Sequence, residues 1–375
     1  MTTRDAILIT GATGTIGRRV AAHLLRDTDA DVYPLLHERG ARQTPGEVLT
    51  RFFDLPATAE FVARLYPVAG DITRPCLGLA SESLPLLHRR VNRVLHSAAT
   101  TRFDLPLDAA RSVNVCGTRE VMGVAGRCER IEQVGFLSTA YVAGKRTGLI
   151  REPERAHDEG FANTYEQSKY EAEAVVAESG LPVAIYRLST VLGDSRTGRV
   201  AHFTAPHQAL RMMHAGLVSM LPGDPASPVD LISDDIAAEA VFELFTHHFN
   251  AGDVFHITAP EDKTFSLQEI VETSHRELAG LDPGWARRGY PLAAIAPLDA
   301  FDLFLRSAQQ ANNPLMHGVM QALSQFARQL AYPKCFDRST VLRYLPDYDR
   351  RTPDIRSYYG KVVKYCLDTG WGRHV

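Results

Sequence analysis

The sequence predicts an α/β protein, a doubly wound parallel sheet with a smaller, mainly helical C-terminal lobe. Three observations predict it. Over roughly the first 190 residues, short apolar runs alternate with longer amphipathic ones, the pattern of parallel strands joined by crossover helices. The apolar runs lack strict polar alternation, so both faces of the sheet are expected to be covered. A glycine-rich turn, Thr10-Gly11-Ala12-Thr13-Gly14-Thr15-Ile16-Gly17, follows the first apolar run directly.

Taken in order, the strands are expected at Ala6 to Thr10, Asp31 to Leu36, Tyr66 to Ala69, Arg93 to His96, Gln133 to Ser138 and Val183 to Leu188, with helices between them. After Gly193 the pattern loosens. It returns to strand, helix, strand at Val229 to Ile232, Asp234 to His247 and Asp253 to Thr258. The expected dinucleotide domain is therefore discontinuous, residues 1–194 plus 228–260. Residues 195–227 plus 261–375 form the expected substrate lobe, in which Pro291 to Leu330 shows mainly helical spacing.

Composition narrows the function classes. The 375 residues are 45% hydrophobic and 23% charged, a globular balance long enough for a sizeable core. A net charge of -3 gives no sequence-wide basic field, so no nucleic-acid partner is expected. No apolar run approaches the roughly 20 residues of a membrane-spanning helix, and the first run enters the glycine turn without room for a secretory leader. Cytoplasmic residence is the expectation. The five cysteines lack metal-site spacing, so no metal is expected and the thiols are read as reduced and mostly buried.

Glycines between a first strand and a helix allow a tight turn and let a pyrophosphate approach the main chain. The helix beginning near Thr15 adds unpaired N–H groups and a partial positive charge. Gly11, Gly14 and Gly17, with Thr13, Thr15 and Ile16 between them, thus form a candidate phosphate site. The end of the second strand, where an acid would hold an NAD ribose, carries His37 instead. Arg39 and Arg42 follow closely and suit a 2'-phosphate, so NADP is favoured over NAD.

Tyr165 and Lys169 stand four apart, one helical turn, with Thr164 and Gln167 as an N-cap pair and Ser179-Gly180-Leu181-Pro182 as a stop. An ammonium beside a phenol favours the phenolate and tunes it for proton transfer. A second Tyr-x-x-x-Lys, Tyr141 to Lys145, contains Gly144 and is set aside as accidental. The hydroxyl donor to a substrate carbonyl is expected from Ser138-Thr139-Ala140, at the carboxyl end of a strand, with Thr139 preferred to Ser138.

Together, Thr10 to Gly17, Gly70-Asp71-Ile72, His96-Ser97-Ala98-Ala99, Asn114, Ser138-Thr139-Ala140 and Tyr165 to Lys169 resemble the extended short-chain dehydrogenase/reductases with their Rossmann domain, over about residues 5 to 260. The resemblance implies that Asp71 and Ile72 flank the adenine, that Ser97, Ala98 and Ala99 line the cofactor, and that Lys169 also binds the nicotinamide ribose. It further implies that Asn114 orders a proton-relay water and that Thr139, Tyr165 and Lys169 are catalytic. Leu188, next to the cofactor, stands where many members have proline.

Several stretches look like the thioester reductase and fatty acyl-CoA reductase branch: Val68 to Ile72 with Leu77-Gly78-Leu79, Phe136 to Val142, and Asn163 to Lys169 with Glu171 and Glu173. Phe336 to Thr340 with Leu342, Leu345, Ile355, Tyr358 and Tyr365 adds a weaker match. The likeness implies NADPH-dependent reduction of an acyl thioester, carried by coenzyme A or by a carrier protein, to aldehyde or alcohol. A dehydrogenase acting on a ketone or secondary alcohol, and a nucleotide-sugar epimerase or dehydratase, are the alternatives on the same residues.

Overall fold

A computed structural model describes residues 4–37, 40, 42–310, 324 and 327–372. The central sheet comprises β1 (Ala6–Thr10), β2 (Asp31–Leu36), β3 (Val68–Ala69), β4 (Arg93–His96), β5 (Gln133–Thr139), β6 (Val183–Leu188) and β7 (Val254–Ile257). They run parallel in the order β7-β6-β5-β4-β1-β2-β3. The order reverses between β1 and β4, and this reversal opens the ligand crevice of a doubly wound sheet at the carboxyl ends of the strands.

Alternate residues of each strand feed opposite cores. Ile7, Ile9, Val32, Leu36, Leu137, Tyr186 and Phe255 pack on one side under α1 (Thr15–Asp27) and the helix Asp234–Thr246. Leu8, Tyr33, Leu35, Val94, Phe136 and Ile185 pack on the other, under α2 (Gly117–Ala125) and α3 (Thr164–Glu178). Val341, Leu345 and Tyr348, late in the chain, join the first of these cores. Helices Ala205–His214, Leu267–Leu281, Leu298–Gln310 and Tyr359–Asp368 gather around two further apolar clusters.

Four expectations shift. The third strand shortens to Val68–Ala69 because Pro67 has no N–H for the ladder, although Tyr66 still donates to Val32. Val229 to Ile232 is not a strand of the sheet. Pro228–Val229 pairs antiparallel with Phe265–Ser266, while Leu231–Ile232 pairs with Thr190–Val191. Between them Asp230 is buried, its carboxylate accepting the Ala259 N–H at 3.0 Å. Of the helical stretch Pro291 to Leu330, Leu298–Gln310 is helix and Ala294–Ala296 is strand, and residues 311–323, 325 and 326 lie outside the described residues. All five cysteines are free, but only Cys128 and Cys366 are buried. Among the described residues no helix is long and apolar enough to cross a membrane.

Candidate active site

The glycine turn is built by close packing. Gly11 sits at φ +68°, where a Cβ would fall 2.6 Å from the Ala98 amide nitrogen, and a Cβ on Gly17 would fall 2.3 Å from the Gly11 oxygen. Gly14 caps α1 in extended conformation with no side-chain bond to the first turn. The bend therefore leaves helix N–H groups facing a cavity of about 800 Å³, as a pyrophosphate site requires.

That cavity is lined by Gly11, Thr13, Gly14, Thr15, Ile16, His37, Asp71, Ile72, Ser97, Ala98, Ala99, Thr139, Tyr165, Lys169 and Leu188. So the structure brings together all but four of the cofactor and catalytic candidates singled out by sequence. Gly17 lies behind the turn and serves packing. Asn114 is buried away from the cavity, in a π-helical turn, Ser112–Cys116. Its amide donates to the Thr100 carbonyl at 3.0 Å and to the Ser168 hydroxyl at 2.9 Å, and its oxygen accepts the Thr100 N–H at 2.8 Å. Both of its donors are engaged, which makes it a holder of the loop after β4. Arg39 lies outside the described residues, and Arg42 is exposed.

The end of the cavity at Asp71 is polar. Asp71 accepts from the N–H and hydroxyl of Thr73 at 2.8 and 2.7 Å, and these bonds hold its carboxyl below the usual range. Beneath the turn, fully buried His96 bridges Thr10 at 2.6 Å and Thr118 at 3.0 Å. Burial lowers its pKa to about 3, so it stays neutral.

Elsewhere on the cavity wall, Tyr165 and Lys169 project from the first two turns of α3. The cap is Asn163 rather than Thr164: its side-chain oxygen accepts the Glu166 N–H at 3.0 Å, while Thr164 donates to the Leu105 carbonyl at 2.9 Å. The Tyr165 side chain lines the cavity beside Thr139, whose hydroxyl acts on the phenol, and its ring stacks on Phe103 at 5.6 Å. Lys169 Nζ donates to the Leu137 carbonyl at 2.8 Å and lies 4.0 Å from the centre of the Phe136 ring. Burial, opposed by Glu173, lowers Lys169 to about 7, and burial pushes Tyr165 up to about 12. The expected depression of the phenol by the ammonium is thus absent from the free protein.

Thr139 donates to the Leu188 carbonyl at 3.2 Å and accepts the Tyr141 N–H at 3.3 Å. The Ser138 hydroxyl, second to Thr139 on sequence grounds, is buried on the cavity wall with no partner among the described residues. The Ser138 hydroxyl is thus free to donate to a ligand oxygen, whereas Thr139 donates there only by releasing the Leu188 carbonyl. Lys145 does not share a helical face with Tyr141, since Gly144 turns the chain at φ +59°, yet Tyr141 itself lines the cavity and its hydroxyl lies 3.4 Å from that of Thr190.

Sequence reasoning missed Glu166 and Lys334, both buried and both on the cavity wall. Glu166 accepts from the Ala162 N–H at 2.9 Å and the Asn163 amide at 3.1 Å. Lys334 donates to the Tyr332 carbonyl at 2.8 Å. Burial raises the Glu166 carboxyl and lowers the Lys334 ammonium, and each charge pulls the other back. No spacing signal joins residues so far apart in the chain. Beyond these groups the wall turns apolar through Val200, Leu210, Met213, Leu221, Ile270 and Leu330.

Comparison with known proteins follows the same lines. The family profile described as male sterility protein, an NAD-binding domain, matches residues 9–241. A linear gramicidin synthase polypeptide of Brevibacillus parabrevis is 28% identical over 71% of this chain, which spans only 6% of that protein's length. The fatty acyl-CoA reductase wat of Drosophila melanogaster is 26% identical over 92% of this chain and 75% of its own. The terminal R domain from the myxalamid PKS-NRPS biosynthetic pathway superposes with a TM-score of 0.77 at 25% identity, covering 99% of this chain and 92% of that one.

Proposed function

Because this chain belongs to the male sterility protein family of NAD-binding domains, and so to the NAD(P)-dependent oxidoreductases of extended short-chain dehydrogenase/reductase type, we propose that it reduces acyl thioesters. One observation carries the reading. A glycine turn fit for pyrophosphate, the Thr139 and Tyr165 hydroxyls, and a long apolar wall share one cavity. The similarity to a fatty acyl-CoA reductase and to a terminal R domain supports it.

The residues fit a nicotinamide dinucleotide: the turn at Gly11 admits main-chain approach and the uncapped start of α1 accepts phosphate. When bound, the reduced nicotinamide supplies a hydride to the thioester carbonyl carbon. Tyr165, Thr139 and the unpaired Ser138 hydroxyl then donate to the oxygen that becomes negative, where a fixed donor is worth about 10²–10³ in rate. Lys169 holds the base of the site through Leu137 and would contact the nicotinamide ribose. The apolar wall takes the acyl chain. In this reading the cofactor is NADPH, its 2'-phosphate met by Arg39 and Arg42, the thioester arrives on coenzyme A or a carrier protein, and the enzyme works in the cytosol.

The test is to follow NADPH and NADH oxidation against acyl-CoA thioesters, aldehydes and ketones with product analysis. Aldehyde or alcohol from thioesters, with NADPH preferred, is expected. Turnover of ketones alone would overturn the reading.

A further inference from the structure

Thioester reduction has a second chemical demand that the Thr139–Tyr165 pair does not meet. After the hydride has formed the new C–H bond, the tetrahedral oxyanion re-forms its C=O bond by breaking the C–S bond. The sulfur leaves with the electron pair and needs a proton. Reduction of a ketone or aldehyde has no such step.

On the basis of the thioester reading, we propose that Lys334 is the acid that protonates the departing thiolate. Four observations place it there. Lys334 and Glu166 line the same cavity as Tyr165 and Thr139. Glu166 directly follows Tyr165 on α3, and its charge acts on Tyr165, Tyr141 and Lys334 alike. The short strand that carries Lys334, Lys334–Phe336, pairs with Gly148–Ile150 and sets the Phe336 ring edge-on to Tyr141 at 5.7 Å, two residues beyond Thr139. This strand therefore closes the cavity at the end where the hydroxyls converge.

The fourth observation is chemical. Lys334 is buried, and its hydrogen bond to the Tyr332 carbonyl takes only one of the three ammonium donors. Burial lowers its affinity for a proton toward that of an alkyl thiol, the match at which proton transfer is most effective. The proton count closes: Lys334 gives one proton to sulfur, water returns one to the amine, and thioester, reduced nicotinamide and a proton become aldehyde, thiol and oxidised nicotinamide. Tyr165 and Thr139 only donate hydrogen bonds throughout.

The test compares wild type, Lys334→Met and Lys334→Met/Glu166→Gln on octanoyl-coenzyme A, on the S-phenyl thioester of octanoic acid, whose thiol is acidic and leaves without help, and on octanal. The double variant removes the charge that the single one strands in the interior, so a folding defect in the single variant does not end the experiment. Circular dichroism and NADPH titration by fluorescence check fold and cofactor binding independently of turnover. The expected result is a loss of about 10²-fold or more on octanoyl-coenzyme A, with a loss below about threefold on the other two substrates. An equal loss on all three, or no loss on octanoyl-coenzyme A, overturns the role of Lys334. If wild type itself leaves both thioesters untouched, the thioester reading fails and this inference with it.

Discussion

Replacing Arg187 by methionine should destabilise the protein by about 3–5 kcal/mol, because it strands a charge rather than because it removes an attraction. Arg187 and Glu173 are each 1% exposed. Their pairing is bidentate, Nε to Oε1 at 3.0 Å and Nη2 to Oε2 at 2.8 Å, and the remaining Nη1 donates to the carbonyls of Glu152 and Glu154 at 3.2 and 3.0 Å. Without the guanidinium the Glu173 carboxylate stays in the interior with Lys169, one helical turn earlier, as the cation it acts on. Replacing both partners, Arg187→Met with Glu173→Leu, removes the stranded charge and should recover most of the loss. Urea denaturation of wild type, both single variants and the double completes the cycle, with a coupling of at least about 2 kcal/mol expected. A loss below about 1 kcal/mol in Arg187→Met, or a double variant as unstable as the sum of the singles, would refute the reasoning.

Gly11→Ala forces a left-handed alanine, costing about 1–2 kcal/mol, and drives its Cβ against backbone at 2.6 Å. Lower stability and lost NADPH affinity should follow, and an unchanged fluorescence titration would contradict the turn geometry. Tyr165→Phe should keep cofactor binding while turnover falls about 10²-fold or more, and Thr139→Ala should lose about 10²-fold; a larger loss in Ser138→Ala would transfer the donor role to the hydroxyl left unpaired. For Lys169, the folded pKa of about 7 lies below the unfolded value of 10.5, so between those pH values the unfolded chain binds the extra proton and stability rises with pH. Denaturation at pH 7, 8 and 9 should show the deficit of wild type relative to Lys169→Met narrowing by about 1.4 kcal/mol per unit, and a flat difference would show that Lys169 keeps its charge when buried.

Features set by local chemistry were legible in the sequence. The strands that form the sheet are near-continuous apolar runs, and the glycine turn falls where β1 must bend into α1, so the fold and the turn could be read directly. Ends were harder where one residue decides: Pro67 trims β3, and Asn163, not Thr164, takes the cap because its amide both accepts from and donates to Glu166. Groups that meet only through tertiary structure were not legible. Lys334 reaches the cavity because its strand docks on Gly148–Ile150, and Tyr141 because a one-turn helix carries it past Thr139. Asn114 stood out in the sequence, but the two bonds its amide donates, to Thr100 and Ser168, are visible only in the fold.

The tyrosine and lysine show the same division between what spacing fixes and what burial decides. Spacing puts them on one face of α3 and suggests an ammonium that drives the phenol to phenolate. Burial acts on both groups toward neutrality, holding the amine at about 7 and the phenol at about 12. Near neutral pH Tyr165 is accordingly a protonated donor. A carbonyl oxygen that gains charge needs such a donor, and a phenolate would repel it. Oxidation of an alcohol has the opposite need, a base, which the protonated phenol does not supply. At neutral pH the pair therefore offers a carbonyl oxygen a hydrogen-bond donor. Two side chains of fixed identity and fixed spacing can rest as donor or as base, and the depth at which the fold holds them sets which protonation state prevails at neutral pH.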